Sequence, residues 1–365
     1  MKFYVRYNAQ EGKFTEKVKD HFDGYVIDSP NLEYYNNAFS QILLKTGKSF
    51  VVDPHLYDLV SDKRSHARYV SKLDVEDEIR QIPSDKKRRK DFVRKFLTFQ
   101  ENRINEALSE DPLDEVTKTV DPEFLIAPYG FIDEENCPAQ QHNLNFIKDA
   151  KELYPKKKVY AGLALTIDLL INKRAAAQIC NAYAKSDADG FCFSAIEFDV
   201  YSASTEYLSG YKDILNGLSQ TGKPIISTYS SFFDLLLPNV NIHAIVHGAD
   251  SGDRLRRASP GFGQRQYSRF YVPGLKNRFS GSELDYIKKN APELMKCDCG
   301  YCNNQDEREA QINHYLAARS KEVKEYNKKA DLIGDLKQVL VKNKKLQQVI
   351  KIDYLDRWIK VAENK

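Results

Sequence analysis

The sequence has no long apolar run and no strong excess of charge of either sign. No segment approaches the roughly eighteen apolar residues of a membrane helix, and the N-terminus lacks the apolar core of a signal peptide. Internal repeats and low-complexity linkers are also missing. The net charge of +3 excludes no class of partner by itself. We therefore expect a cytoplasmic protein with no membrane partner.

Cysteine is scarce, and its distribution argues against a disulfide framework. Of the six cysteines, Cys137, Cys180 and Cys192 are widely scattered, which suits a reducing compartment. The other three are concentrated in the run Cys297-Asp298-Cys299-Gly300-Tyr301-Cys302, and His314 follows on a helical pattern.

A C-x-C-x2-C turn with a helical histidine behind it supplies four sulfur and nitrogen donors, a closed tetrahedral set for zinc. We predict a structural zinc ion at Cys297, Cys299, Cys302 and His314. The alternative is a group of reduced surface thiols beside a helix histidine.

Short apolar runs recur along the first two thirds of the chain and predict a parallel sheet. The 22 Tyr and 19 Phe argue against disorder, and 365 residues suffice for one large barrel or two ordinary domains. The predicted strands are Phe3–Tyr7, Gly24–Asp28, Ser49–Asp53, Phe124–Tyr129, Val159–Leu163, Gly190–Ala195, Pro224–Thr228 and His243–Gly248. Helix-compatible segments such as 32–46, 167–185 and 205–222 separate most of them. This alternation predicts an α/β fold, a (β/α)8 TIM barrel, with a doubly wound sheet as the alternative.

A charged stretch at about residues 60–121 is too long for an ordinary connection and predicts a helical insertion after the third strand. We expect a catalytic barrel over residues 1–290 and a zinc-binding, helical C-terminal region over 291–365. Within the insertion, the basic run 86–90 precedes Phe92, Phe96 and Phe99. That run is either a solvated helix face above a core stripe or a patch that contacts phosphates.

Two aspartates follow predicted strands, where barrel enzymes place their chemistry. Asp53 closes the third strand, and Asp250 follows the last one. Facing each other across the barrel mouth, they would serve as acid/base residue and nucleophile. An aspartate after a strand is more often a helix cap or turn residue.

The order of a strand-ending aspartate early, another late, then C-x-C-x2-C and a helical histidine resembles the queuine/archaeosine tRNA-guanine transglycosylase superfamily. The resemblance spans nearly the whole chain. It implies that Asp250 attacks the ribose anomeric carbon and displaces guanine, while Asp53 handles protons on the departing and incoming bases. Such base exchange replaces one N-glycosidic bond with another of nearly equal energy, and it needs a flipped or single-stranded nucleotide.

The chain departs from this family's pattern around the base. Pro54 to Tyr57 replace its Ser-Gly-Gly-Phe-Gln run, and its base-reading aspartate is missing from 126–129. Gly162 lies in the run Tyr160-Ala161-Gly162-Leu163, which replaces a Gln-Gly-Gly motif of the family, and the resemblance implies that Gly162 helps to bind the base. The resemblance implies base contacts from Ser194-Ala195-Ile196, and Arg254, with Arg256 and Arg257, is a candidate for holding a phosphate. His247 and Asp253 are secondary candidates near the mouth, and His247 fits a packed strand residue equally well.

These departures and the short Cys302 to His314 spacing favour the DNA-modifying branch, which inserts bases such as 7-cyano-7-deazaguanine. The expected activity is therefore a pentosyltransferase that exchanges guanine in DNA for a 7-deazaguanine base, with tRNA as the alternative substrate. A non-catalytic zinc-containing nucleic-acid-binding subunit and an unrelated barrel hydrolase are further alternatives. The sequence leaves a homodimer open.

Overall fold

The computed structural model describes residues 1–56, 67–109, 119–229, 231–237, 239–249, 255, 269–302 and 307–364. Eleven strands occur in this part of the chain: β1 Lys2–Arg6, β2 Gly24–Asp28, β3 Ser49–Asp53, β4 Leu125–Ala127, β5 Phe131–Ile132, β6 Val159–Thr166, β7 Gly190–Ile196, β8 Ile225–Ser227, β9 Ile242–Gly248, β10 Phe270–Val272 and β11 Asn277–Phe279. The same ranges contain these α-helices: α1 Ala9–Thr15, α2 Ser29–Thr46, α3 Ala67–Leu73, α4 Glu76–Arg80, α5 Lys86–Ser109, α6 Pro138–Leu153, α7 Ile167–Ile171, α8 Lys173–Ala184, α9 Thr205–Ser219, α10 Gly281–Asn290, α11 Arg308–Asn327, α12 Leu332–Lys342 and α13 Tyr354–Glu363. Among these helices, none combines the length and the apolar character that crossing a membrane requires.

The main sheet is a nearly closed barrel. Its parallel strands run in the order β3-β2-β1-β9-β8-β7-β6-β4, and β5 adds a short pairing to β6. This order follows the chain around a circle, so the predicted barrel of eight parallel strands is confirmed and the doubly wound alternative is excluded. All eight predicted strands are present, with ends that differ by up to three residues.

The seam between β3 and β4 is closed without a strand ladder. The backbone N–H of Glu123 donates to the Phe50 carbonyl at 2.9 Å. Leu125 turns its N–H toward β6, so the backbone groups of Ile126 face the seam. The buried Gln100 amide on α5 donates to the Ile126 carbonyl at 2.8 Å and accepts from its N–H at 2.9 Å. A side chain therefore satisfies the strand edge that a backbone ladder would otherwise pair.

Side chains alternate between the barrel interior and the helix layer. The interior contains Tyr4, Val26, Val51, Ile126, Tyr160, Cys192, Ile226 and Val246, among others. The larger core lies between the sheet and the helices, and it includes the apolar face of α5 around Phe92 and Phe96. Helix α5 packs against α2 and α6. Because residues 57–66 and 110–118 lie outside the described part, the helical insertion after β3 stays a prediction.

Two C-terminal helices complete the layer around the barrel. Helix α11 packs against β1 and β10, and α13 packs against α9. The described part of the connection from β8 to β9 contains a short 3₁₀ turn, Phe232–Leu236, and Trp358 of α13 lies beside it. The buried Trp358 indole donates to the Val200 carbonyl at 2.9 Å. The C-terminal region is thus packed on the barrel, and its division at residue 291 stays a prediction.

Candidate active site and metal centre

The ends of β1, β2 and β3 bring three charged residues to the barrel mouth. Arg6, Asp28 and Asp53 each follow by two positions a residue that faces the interior, so strand alternation turns them inward as well. Asp28 and Asp53 are direct partners in the register of β2 and β3. In a parallel barrel this end of the sheet is where binding and catalysis take place.

Asp53 is buried and fully surrounded by donors. Its Oδ1 accepts from the Tyr129 hydroxyl at 2.9 Å and from the His55 backbone N–H at 3.4 Å. Its Oδ2 lies 3.5 Å from an Arg6 guanidinium nitrogen and 3.4 Å from His55 Nε2. The carboxylate of Asp53 is therefore held in one orientation by four contacts.

His55 lies between the two carboxylates. Its Nε2 is 2.9 Å from Asp28 Oδ1, closer than it is to Asp53, and 3.5 Å from the Tyr229 hydroxyl. Arg6 forms an ion pair with Asp28 and stacks its guanidinium 4.0 Å from the centre of the Tyr229 ring. These residues make one connected network, which we call the mouth cluster: Arg6, Asp28, Asp53, His55, Tyr129 and Tyr229.

Charge compensation keeps both carboxylates of the mouth cluster ionised. Burial by itself raises the pKa of Asp53, but the charges of His55 and Arg6 outweigh it and lower that pKa. Burial is likewise outweighed at Asp28, where Arg6 and His55 lower the pKa. Burial lowers the pKa of His55, but the two carboxylates raise it well above its ordinary value. The cluster thus holds two negative and two positive charges.

Asp28, Asp53 and His55 also have the spacing of a metal site, because one donor atom from each lies within 4.8 Å of the others. The Arg6 guanidinium, however, contacts both carboxylates and lies 3.4 Å from His55 Nε2. A cation already compensates these carboxylates, and a divalent ion would have to displace it. We therefore assign no metal to the mouth cluster.

The predicted nucleophile Asp250 lies outside the described residues, as do Asp253, Arg254, Arg256 and Arg257. The residue before it, Ala249, is buried directly after β9, and its carbonyl accepts from Arg278 at 3.0 Å. Strand β9 ends at the same mouth as β3. That Asp250 lies across the barrel mouth from Asp53 stays a prediction.

The predicted base-contacting residues belong to strands at the barrel wall. Ser194, Ala195 and Ile196 are the last residues of β7 and pair in register with β6, so their backbone groups take part in a sheet ladder rather than a loop. Gly162 on β6 faces the interior, where a Cβ would lie 2.0 Å from the Tyr129 ring. Its missing side chain leaves the space that Tyr129 needs to reach Asp53. Base contact by these four residues stays a prediction.

His247 packs away from the mouth. On β9 it alternates with the interior residues Ala244 and Val246, so it faces α11. There Nδ1 lies 3.2 Å from the Tyr315 hydroxyl and Nε2 lies 2.7 Å from the Arg319 guanidinium. This geometry supports the prediction that His247 is a packed strand residue rather than a residue of the active site.

The three cysteines and the histidine converge in the C-terminal region. Cys299 Sγ lies 3.4 Å from Cys302 Sγ, and both sulfurs lie 3.2 Å from Nδ1 of His314. With Cys297, all four donor atoms lie within 4.8 Å of one another. A tetrahedral zinc site, with bonds of 2.0–2.3 Å, spaces its donors by about 3.5–3.8 Å. The three distances among Cys299, Cys302 and His314 agree with this spacing to within a few tenths of an ångström, and Cys297 lies close enough to supply the fourth donor.

Neighbouring groups orient the His314 imidazole and favour the thiolate form of Cys299, as metal binding requires. The Nε2–H of His314 donates to the Tyr271 carbonyl at 2.8 Å, which leaves the Nδ1 lone pair aimed at the sulfurs. The Phe270 ring stacks on the imidazole at 4.4 Å. The hydrogen bond between the side chains of Cys297 and Cys299 raises the pKa of Cys297 to about 12 and lowers the pKa of Cys299. Gly300 has φ +78°, the left-handed conformation that favours glycine in a tight turn.

The basic run at the start of α5 is mostly paired within the protein. Lys86 and Lys90 both contact Glu152, at 3.1 and 2.6 Å, and Arg89 contacts the fully buried Asp149 at 2.6 Å. Lys87 and Arg88 are exposed, without a salt bridge to the described residues. Three of the five basic side chains of this run therefore contact acids of the chain itself, and they share two carboxylates, those of Glu152 and Asp149.

No protein-family model matches the chain, and no curated protein matches it either.

Proposed function

We propose that the chain is a guanine transglycosylase that exchanges a guanine in DNA for a 7-deazaguanine base, with tRNA as the alternative substrate. The observation that carries the proposal is the Asp53 carboxylate, which is ionised and oriented at the carboxyl end of a nearly closed parallel barrel. The order of motifs along the chain supports it, because a late strand-end aspartate and a metal cluster follow in sequence.

In this proposal Asp250 attacks the anomeric carbon of the target nucleotide and forms a covalent ester as the base departs. Asp53 handles the proton on the departing base and then on the incoming one. Two displacements at the same carbon retain the configuration of the sugar. Because one N-glycosidic bond replaces another, the exchange needs no activated donor.

The proposed zinc ion has a structural role. Cys297, Cys299, Cys302 and His314 would hold the ion, and it would connect the cysteine turn to α11. The same helix carries Arg319, whose guanidinium meets His247 on β9 at 2.7 Å, and Glu322, which accepts from the Tyr271 hydroxyl at 2.7 Å. The metal cluster and β9 therefore both contact helix α11, and Asp250 is the second residue after β9.

One observation favours a second candidate, a non-catalytic zinc-containing subunit that binds nucleic acid. Both oxygens of Asp53 already accept hydrogen bonds or face cations, an arrangement that structural carboxylates share. An active Asp53 must exchange one of these contacts for a proton on the base. The two candidates differ in whether base exchange occurs at all.

The test is incorporation of labelled 7-cyano-7-deazaguanine into duplex DNA or tRNA by the purified chain. Label should enter one polymer with the wild type and almost none with Asp250→Asn, while nucleic-acid binding survives. Asp53→Asn should also be impaired, and a trapped protein–nucleic acid adduct is expected if attack precedes proton transfer. Asp187→Asn, at an exposed position before β7, is the matched control. Unlabelled polymers together with retained binding would favour the non-catalytic subunit.

A further inference from the structure

The mouth cluster contains a residue that the proposed chemistry has not yet used. His55 is buried, and its Nε2 lies 2.9 Å from Asp28 Oδ1 and 3.4 Å from Asp53 Oδ2. One imidazole nitrogen thus faces carboxylates from two neighbouring strands. A proton on this nitrogen has a short path to Asp53, the group that must deliver it to a base.

His55 adopts a backbone conformation that is unfavourable for residues with a Cβ. His55 has φ +48°, and Tyr229, whose hydroxyl lies 3.5 Å from His55 Nε2, has φ +56°. Residues with a Cβ seldom adopt this left-handed conformation, and such strain concentrates at functional sites. The two residues with strained backbones, His55 and Tyr229, therefore lie beside the carboxylates of Asp28 and Asp53.

We infer that His55, held by Asp28, is the positioning residue that stores the proton which Asp53 transfers during base exchange. The inference rests on the proposed function. It assigns to Asp28 the task of keeping the imidazole charged and oriented, and to Asp53 that of passing the proton onward.

The transfer balances in atoms and charge. The His55 Nε2–H bond breaks as an O–H bond forms on Asp53, and that proton then moves to the departing guanine as it takes the electron pair of the C1′–N bond. The Asp250 carboxylate forms the new C1′–O bond. One carboxylate becomes an ester and one imidazolium becomes neutral, so the net charge is unchanged. The incoming base returns its proton along the same path.

The other groups around His55 cannot serve as this store. Arg6 does not release its proton in proteins. Burial raises the pKa of Tyr69, Tyr129 and Tyr229, and that of the Cys192 thiol facing the interior, so these groups stay neutral. Asp53 itself is ionised between His55 and Arg6, so it needs a neighbour to supply the proton. Among the groups that face the cluster in the described chain, His55 alone combines a transferable proton with contact to Asp53.

The first arm of the test is an NMR titration of the histidine imidazoles in the whole chain, with His55→Gln used to assign the His55 signal. In the wild type, His55 should keep its proton well above pH 6.5, the ordinary value. Asp28→Asn removes one carboxylate charge and should shift this titration to lower pH. A wild-type His55 that titrates at or below its ordinary value, or a titration that Asp28→Asn leaves unmoved, overturns the inference without reference to activity.

The second arm measures base exchange against pH. His55→Gln should lower the rate by about 10²–10⁴-fold, the usual contribution of a positioned acid or base. Asp28→Asn should move the alkaline limb of the pH profile to lower pH, whereas a purely structural role would lower the rate equally at every pH. His142→Gln, on the outer helix α6, is the matched control and should leave the profile unchanged. A wild-type rate in His55→Gln overturns the inference.

The two arms separate this inference from the proposed function. If neither polymer acquires label with the wild type, the proposed function fails and the proton-delivery role of His55 falls with it. In that case the NMR arm still reports whether His55 is charged. If exchange occurs while His55 titrates normally, only the inference about His55 is overturned.

Discussion

Replacing Arg6 by methionine should destabilise the protein by about 3–5 kcal/mol, because it leaves two buried carboxylates with a single imidazolium. The Arg6 side chain is 8% exposed, and those of Asp28 and Asp53 are 15% and 2% exposed. Solvent therefore cannot replace the lost guanidinium. Arg6→Lys keeps the charge but loses the forked geometry, so we expect an intermediate loss.

The free energy of unfolding can be followed in urea through the fluorescence of Trp358, the single tryptophan of the chain, which is buried. The matched control is Arg68→Met. Arg68 pairs with Glu33 through a side chain that is 55% exposed, and Arg103 still pairs with Glu33 when Arg68 is removed. A loss of only about 0–1 kcal/mol is expected, because Arg68 itself is exposed and the buried Glu33 keeps its contact with Arg103.

The stability of the Arg6 variant should also depend on pH, because Arg6 affects the pKa values of two buried carboxylates. In the wild type, the folded-state pKa values of Asp28 and Asp53 lie below their ordinary value of 3.8. Their stabilisation is therefore fully present above that value and is lost as the pH falls through the folded-state pKa values. Without Arg6, burial is opposed by less positive charge, so both folded-state pKa values should rise.

The stability deficit of Arg6→Met should thus be largest near neutral pH and shrink as the pH falls and one of the two carboxyls takes up a proton. Equal losses in Arg6→Met and Arg68→Met, or a deficit that does not change with pH, would refute the account of the mouth cluster.

Three further predictions concern the rest of the chain. Elemental analysis should find one zinc per chain in the wild type and a clear loss in Cys299→Ser; a metal-free wild type purified without chelator would contradict the assignment. If Lys87 and Arg88 contact phosphates, their joint replacement by alanine should reduce the salt slope of nucleic-acid binding by about one for each lost contact; an unchanged slope would identify a solvated helix face. Gly210→Ala should cost about 1–3 kcal/mol in urea unfolding, because its Cβ would lie 1.7 Å from the Leu170 carbonyl oxygen. Gly217→Ala, on the same helix with its Cβ 3.3 Å from Cys180, should cost far less.

The barrel strands were predictable because buried parallel strands are apolar on both faces and their runs end at turn residues. The β10–β11 hairpin was missed, since each strand has only three residues and its pattern is too short to detect. The single predicted helix at 167–185 is two helices that meet at Asn172, whose side chain caps the second one through the Ala175 N–H.

The metal cluster was predictable because its three cysteines are close in sequence, so a single turn places them close together in space. The mouth cluster was only partly predictable, since its members come from separate strands. Asp28 ends β2 as Asp53 ends β3, so the rule that selected Asp53 would also have selected Asp28. His55 and Tyr229 carry no such signal, because their importance depends on backbone conformation and on contacts between distant segments.

The Gln100 amide in the seam has a consequence for how this barrel tolerates change in its connections. Where two strands share a ladder, pairing dictates their offset, and a shift by one residue would turn every side chain to the opposite face. Gln100 satisfies the Ile126 backbone groups, and the seam has the Glu123 to Phe50 hydrogen bond but no ladder that fixes the offset between β3 and β4. Insertions and deletions between these two strands can therefore accumulate without disturbing the register of the other seven pairings. The longest connection between neighbouring barrel strands lies at this boundary.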